Sequence, residues 1–394
     1  SVAAADLVAL DAKTGVAIDA RGVADFTGTA SDIAAIVTST GVTLDADFTA
    51  TVSNETGLAY VDAADIVTID AVTGGTITAT AVTEMQGTAS NIVSAATSTE
   101  VAKDADTLFN VTTGSADVTQ INALDTVTSN VITAAISVTA ADTLKDLDNA
   151  NANNMLTITV LDTEVAAGVL SLIDASTGLA VTATAVETIT GDATAANSIL
   201  SAGGVTLTKT GAGAVAVQLN DIAAVAATVK NVDIQTEGGV SLLQATAISG
   251  TAADIAAVVS SAGVTHNAGN LQATISTDGA NPVSVDAADL ISIDDNTGRI
   301  LLASNATEIT GTDDEIVAVL GRTAGIEVSG TAAMTVNDGV ASVANISTMT
   351  NGTRTVTATV DTGVVSDLLS GLPNSTKNVL SITVTDDGDG TAVN

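Results

Sequence analysis

The chain has one histidine, His266, and no cysteine, so the side chains that could do chemistry are almost all carboxylates. A Ser-His-acid triad would have to be built on His266, which follows Val264-Thr265 with no nucleophile elbow before it. His266 reads instead as an ordinary strand residue, standing where similar strand openings carry Leu44 or Leu207. Without cysteine or a second histidine, structural zinc is excluded within one chain. There is no Gly-Lys-Ser/Thr phosphate loop, and Gly28 and Gly191 sit in recurring turns without a dinucleotide-binding spacing. A carboxylate pair acting on glycosides normally works beside aromatic platforms. Here Phe26, Phe48, Phe109 and Tyr60 are all the aromatics there are. The expectation is therefore no catalytic residue, no bound organic cofactor and no enzyme activity. Calcium is the one ligand the carboxylates suggest. Asp386, Asp387 and Asp389 gather three hard oxygen donors on one Gly-rich turn, although the downstream acid of an EF-hand is absent. Asp45/Asp47 and Asp294/Asp295 are weaker candidates.

The acids recur with a repeat, the behaviour of turn and cap residues. One signature, Thr27-Gly28-Thr29-Ala30-Ser31-Asp32-Ile33, returns around Gly87, Gly191, Gly250 and Gly311. Gly28 and Gly87 are 59 residues apart, as are Gly191 and Gly250, and Gly311 follows after 61. A second signature keeps the same phase: Ala64-Asp65-Ile66-Val67-Thr68-Ile69-Asp70-Ala71-Val72-Thr73-Gly74, with counterparts ending at Gly15, Gly178 and Gly298. The array divides into about seven units of roughly 50 to 60 residues, numbered 1–59, 60–112, 113–162, 163–223, 224–283, 284–337 and 338–394.

Within a unit, the Asp-Ile/Leu piece predicts one helical turn or an Asx-turn. The following Asp-x-x-Thr-Gly predicts a tight turn whose glycine (15, 74, 178 or 298) supplies positive φ. Thr76 to Val82 and Val181 to Val186 alternate as strands with one buried face. Gly28, Gly87, Gly191, Gly250 and Gly311 then open turns into a helix, for which Thr251 is the expected N-cap and Ile255, Val258 and Val259 the buried face. The predicted fold is mainly β with short helices, a tandem-repeat, β-rich solenoid running continuously from 1 to 394.

Aromatics make up 1% of the chain while 46% is hydrophobic, which points to a thin core of small and branched side chains. A formal net charge of −35 disfavours nucleic acid and anionic membranes as partners. No apolar stretch is long enough to insert in a membrane. The start at Ser1-Val2-Ala3 reads as a processed or trimmed end.

The pieces Ala64 to Gly74 and Ser249 to Val264 resemble repeats of large secreted surface proteins of bacteria, of adhesin, S-layer or filament type. That resemblance implies an extracellular or cell-surface location, a possible surface anchor, and no catalytic residue. The expected function is a structural subunit of an extracellular filament, sheath or surface layer. Such a subunit would self-associate into a polymer or lattice through the ends and strand edges of its repeats. The alternatives are an adhesin stalk or spacer and a phage fibre.

Overall fold

The run Ala63-Ala64-Asp65-Ile66-Val67-Thr68-Ile69-Asp70 is rich in β-branched residues, yet it forms a helix. Asp62 accepts a hydrogen bond from the Ala64 amide, and Ile66 and Ile69 are fully buried one turn apart. Burial of that apolar pair outweighs the few tenths of a kcal/mol per residue that β-branching costs a helix. The structure, a computed structural model, describes residues 1–148, 153–276, 283–350 and 353–385. Helices of this kind lead each repeat: Ala4–Asp11, Ala63–Asp70, Val118–Asp125, Ala167–Ala175, Ala226–Gln235, Ala287–Asn296 and Val343–Met349. A trailing helix follows each one: Ala30–Thr38, Ala89–Thr97, Ala141–Leu144, Ala193–Ser201, Ala252–Ser260, Asp313–Gly321 and Val365–Gly371. Several trailing helices share one cap, with Thr29, Thr88, Thr251 and Thr312 each accepting from the amide three residues on.

The expectation of a mainly-β solenoid is corrected. The chain is an alternating α/β fold, with about 32% helix and 29% strand among the described residues. The sequence reading allotted one helix to a repeat, and the fold has two. The strands are short, and those of the five-stranded sheets pair in parallel about one coil apart: Val2 faces Phe26, Phe26 faces Ala50, and Ile77 faces Val101. A repeat of 59 residues therefore holds two coils, each closing with a helix.

The chain forms two compact bodies, residues 1–186 with 202–208, and residues 187–201 with 209–394. The first holds two five-stranded sheets. One runs through Val2–Ala3, Asp25–Thr29, Thr49–Ser53, Ile77–Ala79 and Val101–Lys103. The other runs through Val61–Asp62, Glu84–Thr88, Leu108–Thr113, Ile132–Ala135 and Met155–Thr157. The second body has the same design in Ala223–Val225, Ala247–Gly250, Gln272–Ile275, Leu301–Ala303 and Ile326–Val328. It recurs there in Ser284–Asp286, Glu308–Gly311, Ala333–Val336, Val356–Thr359 and Val379–Ser381.

In these sheets the first two strands precede the leading and trailing helices of one repeat, and the third follows that trailing helix. The fourth and fifth strands follow the two helices of the next repeat. Each sheet is thus three strands from one repeat joined to two from its successor. The cores are filled mostly by Ala, Val, Ile and Leu, with Phe26 and Phe48 in edge-to-face contact at 5.2 Å.

Candidate interaction faces

Asp386, Asp387 and Asp389, the calcium candidates, lie outside the described residues. Among the described residues no cluster of three or more His, Asp or Glu is placed to hold a metal ion. Asp45 accepts from the Asp47 amide at 3.1 Å, an Asx-type turn. Asp294 and Asp295 both bind the Arg322 guanidinium, at 2.7 and 2.5 Å. His266 lies on the Val264–His266 strand, opposite Leu242, with Nε2 at 3.1 Å from the Val259 carbonyl.

The recurring glycines divide into two groups. Gly28, Gly87, Gly191, Gly250 and Gly311 all have positive φ, between 136° and 158°. They lie at the end of the strand that runs into a trailing helix or one residue before it, and at Gly28, Gly87, Gly250 and Gly311 an added Cβ would reach the first residue of the leading helix. A Cβ at Gly250 would stand 3.0 Å from Ala226 Cβ, and one at Gly311 would stand 3.2 Å from Ala287 Cβ. Gly15, Gly74, Gly178 and Gly298 do not have positive φ, which corrects the conformation expected of the glycine in these turns. Three of them instead donate their amides to an earlier coil: Gly74 to Ala46 O, Gly178 to Asn154 O and Gly298 to Ala268 O.

The threonine before the glycine position closes the turn. Thr73 donates its hydroxyl to Phe48 O, Thr128 to Thr107 O at 2.8 Å, and Thr236 to Val215 O at 2.5 Å. Each of these hydroxyls also accepts from the amide two residues on, and all three threonines are buried.

A second connection between coils was also missed. The aspartate at the end of the leading helix accepts from a serine in the next coil: Asp11 from Ser39 at 2.7 Å, Asp70 from Ser98 at 3.1 Å, and Asp233 from Ser261 at 2.7 Å. The same carboxylate fills the space where a Cβ would stand at Gly41, Gly204, Gly263 or Gly325, 2.0 to 2.4 Å from Oδ1. Asp174 occupies this place beside Gly204, but the serine position is Ala202, and burial pushes the Asp174 carboxyl up from its ordinary range. The period of these aspartates is visible in the sequence, although their partners are not.

These cross-coil contacts have counterparts that stand open at two faces. In the leading helices, Ile69, Leu124, Ile173, Val232, Ile293 and Met349 are all fully buried, yet Leu10 at the same position is 52% exposed. Thr14, the counterpart of Thr73, is exposed and bonds only locally to Val16. In the trailing helices, Ala30, Ala89, Ala193 and Ala252 are buried, whereas Val365 is 43% exposed. Leu369, the counterpart of buried Ala34 and Ala256, is 81% exposed. Val365, Leu368, Leu369, Leu372, Ile382 and Val384 line an open apolar groove of about 590 Å³. No helix among the described residues is long and apolar enough to cross a membrane. No protein-family model and no curated protein matches this chain.

Proposed function

We propose that the chain is a structural subunit of an extracellular filament, sheath or surface layer, joined to further copies through its terminal coils. The role is mechanical and involves no catalytic step. The observation that carries this reading is the exposure of Leu10, at a position that the other leading helices bury, and of Leu369, whose counterparts Ala34 and Ala256 are buried and Val93, Asn197 and Val317 half-buried. At roughly 25 cal/mol per Å² of apolar surface, covering several such side chains supplies a substantial drive to associate. The −35 charge opposes close approach, so salt or calcium that screens or bridges the carboxylates promotes assembly. Negative-stain electron microscopy of the purified protein, with calcium and then with a chelator, tests the reading. Ordered filaments, sheets or lattices support it. Dispersed single particles in high salt with calcium contradict it and favour a stalk, in which an adjoining segment of one longer chain covers the same faces.

A further inference from the structure

Two incomplete sheets accompany the exposed faces, and together they make one complete sheet. Ile18–Asp19 pairs with Val42–Thr43 in a two-stranded sheet. These strands follow the leading helix Ala4–Asp11 and the trailing helix Ala30–Thr38, so they hold the fourth and fifth places of a five-stranded sheet. At the other face, Ala341 bridges to Val360, and Gly363–Val364 pairs with Val384–Thr385. These hold the first, second and third places around the helices Val343–Met349 and Val365–Gly371. One fragment is what the other lacks.

The register of the missing joint can be read from the complete ones. Where a third strand meets a fourth, the pairs are Ala50 with Ile77, Phe109 with Ile132, Val217 with Val240, and Met334 with Val356. In each case the next residues also pair: Thr51 with Thr78, Asn110 with Thr133, Gln218 with Ser241, and Thr335 with Thr357. The second strand fixes the numbering, because Gly28 faces Val52 as Gly363 faces Val384. Ala50 and Thr51 therefore correspond to Ile382 and Thr383, and Ile77 and Thr78 correspond to Ile18 and Asp19. The first residues of the four complete pairs are all buried, whereas Ile382 is 46% exposed and Ile18 is only half-buried.

We infer that the partner of the groove at Val365, Leu369 and Ile382 is the Ala4–Asp19 segment of a second copy. The Ile382–Thr383 segment that leads into the Val384–Thr385 strand of one copy and the Ile18–Asp19 strand of the next pair in parallel, with Ile382 opposite Ile18 and Thr383 opposite Asp19. This is strand addition at a free edge: backbone hydrogen bonds bring the chains together, and the inward Ile pair with Leu10 sets the register. The joint also keeps helix order, because a trailing helix is followed by a leading one as it is inside the chain. The inference rests on the reading of the chain as a self-assembling subunit and names the surfaces that assemble. Propagation then follows, since each copy carries both halves of the joint.

The absence of cysteine makes the test clean. Asp19→Cys and Thr383→Cys are made in separate chains, both on the outward side of the sheet and clear of the core. The two are mixed under mild oxidation, with Asp19→Cys plus Thr385→Cys as the out-of-register control. The expected result is a covalent dimer from the first mixture, severalfold more abundant than from the control or from either variant alone. Sedimentation of the unmodified protein is run alongside. Assembly without selective cross-linking overturns this joint while leaving the polymer reading intact. No assembly and no cross-link overturns both.

Discussion

The Thr236 hydroxyl spans two coils, donating to Val215 O at 2.5 Å and accepting from the Gly238 amide at 3.0 Å. Thr236→Val keeps the shape of this side chain and removes both bonds at a site that is 7% exposed. A buried polar group left without its partner costs about 1–3 kcal/mol. Two such groups, partly relieved by relaxation, give an expected loss of roughly 2–4 kcal/mol. At tenfold per 1.4 kcal/mol, that corresponds to about 30- to 700-fold faster local opening. Hydrogen exchange measured on peptides spanning 214–219 and 236–242 reads this opening directly. Thr14→Val is the control. Thr14 is exposed and has no cross-coil bond, so the monomer should change by less than about 0.5 kcal/mol. In the proposed polymer, Thr14 takes the place of Thr73 and meets the Leu380 carbonyl of the next copy. Thr14→Val should therefore weaken assembly about fivefold, the worth of one ordinary hydrogen bond. Exchange in Thr236→Val indistinguishable from the parent protein would refute the bridging role. Equal loosening of the monomer by Thr14→Val would refute the distinction between interior and end coils.

A Cβ at Gly75 would stand 2.2 Å from the backbone oxygen of Phe48, so Gly75→Ala should cost about 1–3 kcal/mol as a denaturation shift. Gly15→Ala, with nothing within 4 Å and no positive φ, should be close to neutral. Ala202→Ser restores the serine that other coils place on this carboxylate; it should stabilise the first body by roughly 1 kcal/mol and bring the Asp174 carboxyl down, as carbon-detected NMR titration would show. Burial, with the Asp286 charge adding to it, raises the Asp289 carboxyl. Folded Asp289 thus holds its proton to higher pH than the unfolded chain does, and its contribution to stability falls as pH rises from the ordinary carboxylate range through the raised value. Asp289→Asn should remove that fall, and denaturation midpoints across the range that keep the parent slope would count against the buried-carboxylate explanation.

The trailing helices were legible because their signals are local. Thr251 caps the Asp254 amide as its position suggested, and Ile255, Val258 and Val259 are buried. Asp254 also binds Lys230 at 2.7 Å, a partner 24 residues away that no local pattern reveals. The leading helices were legible only as one helical turn or an Asx-turn, because Ile66-Val67-Thr68-Ile69 carries the residues strands favour; the full helix exists through tertiary burial of Ile66 and Ile69. Strands such as Ile77–Ala79 and Val181–Thr182 are shorter than the alternating runs around them, because the chain turns back at Val82 and at Val186. The 59-residue period was plain in glycine and threonine, but its division into two coils was not: leading and trailing helices can open alike, as in Ala63-Ala64-Asp65-Ile66 and Ala252-Ala253-Asp254-Ile255, yet the turns that flank them differ, so the two do not stand out as copies of one coil. For the interaction faces, Leu10 and Leu369 look like ordinary core residues. Their exposure becomes informative only beside their buried counterparts.

End-to-end assembly is tested most directly by sedimentation velocity of the intact protein across concentration, salt and calcium, in parallel with Leu369→Asp. Leu369 is 81% exposed, so a carboxylate there should leave the monomer folded while placing a charge in the groove. The account predicts species beyond the monomer that grow with protein concentration and with salt or calcium, and their loss in Leu369→Asp. A parent protein that sediments as a monomer under every condition, or a Leu369→Asp protein that assembles as the parent does, would contradict it.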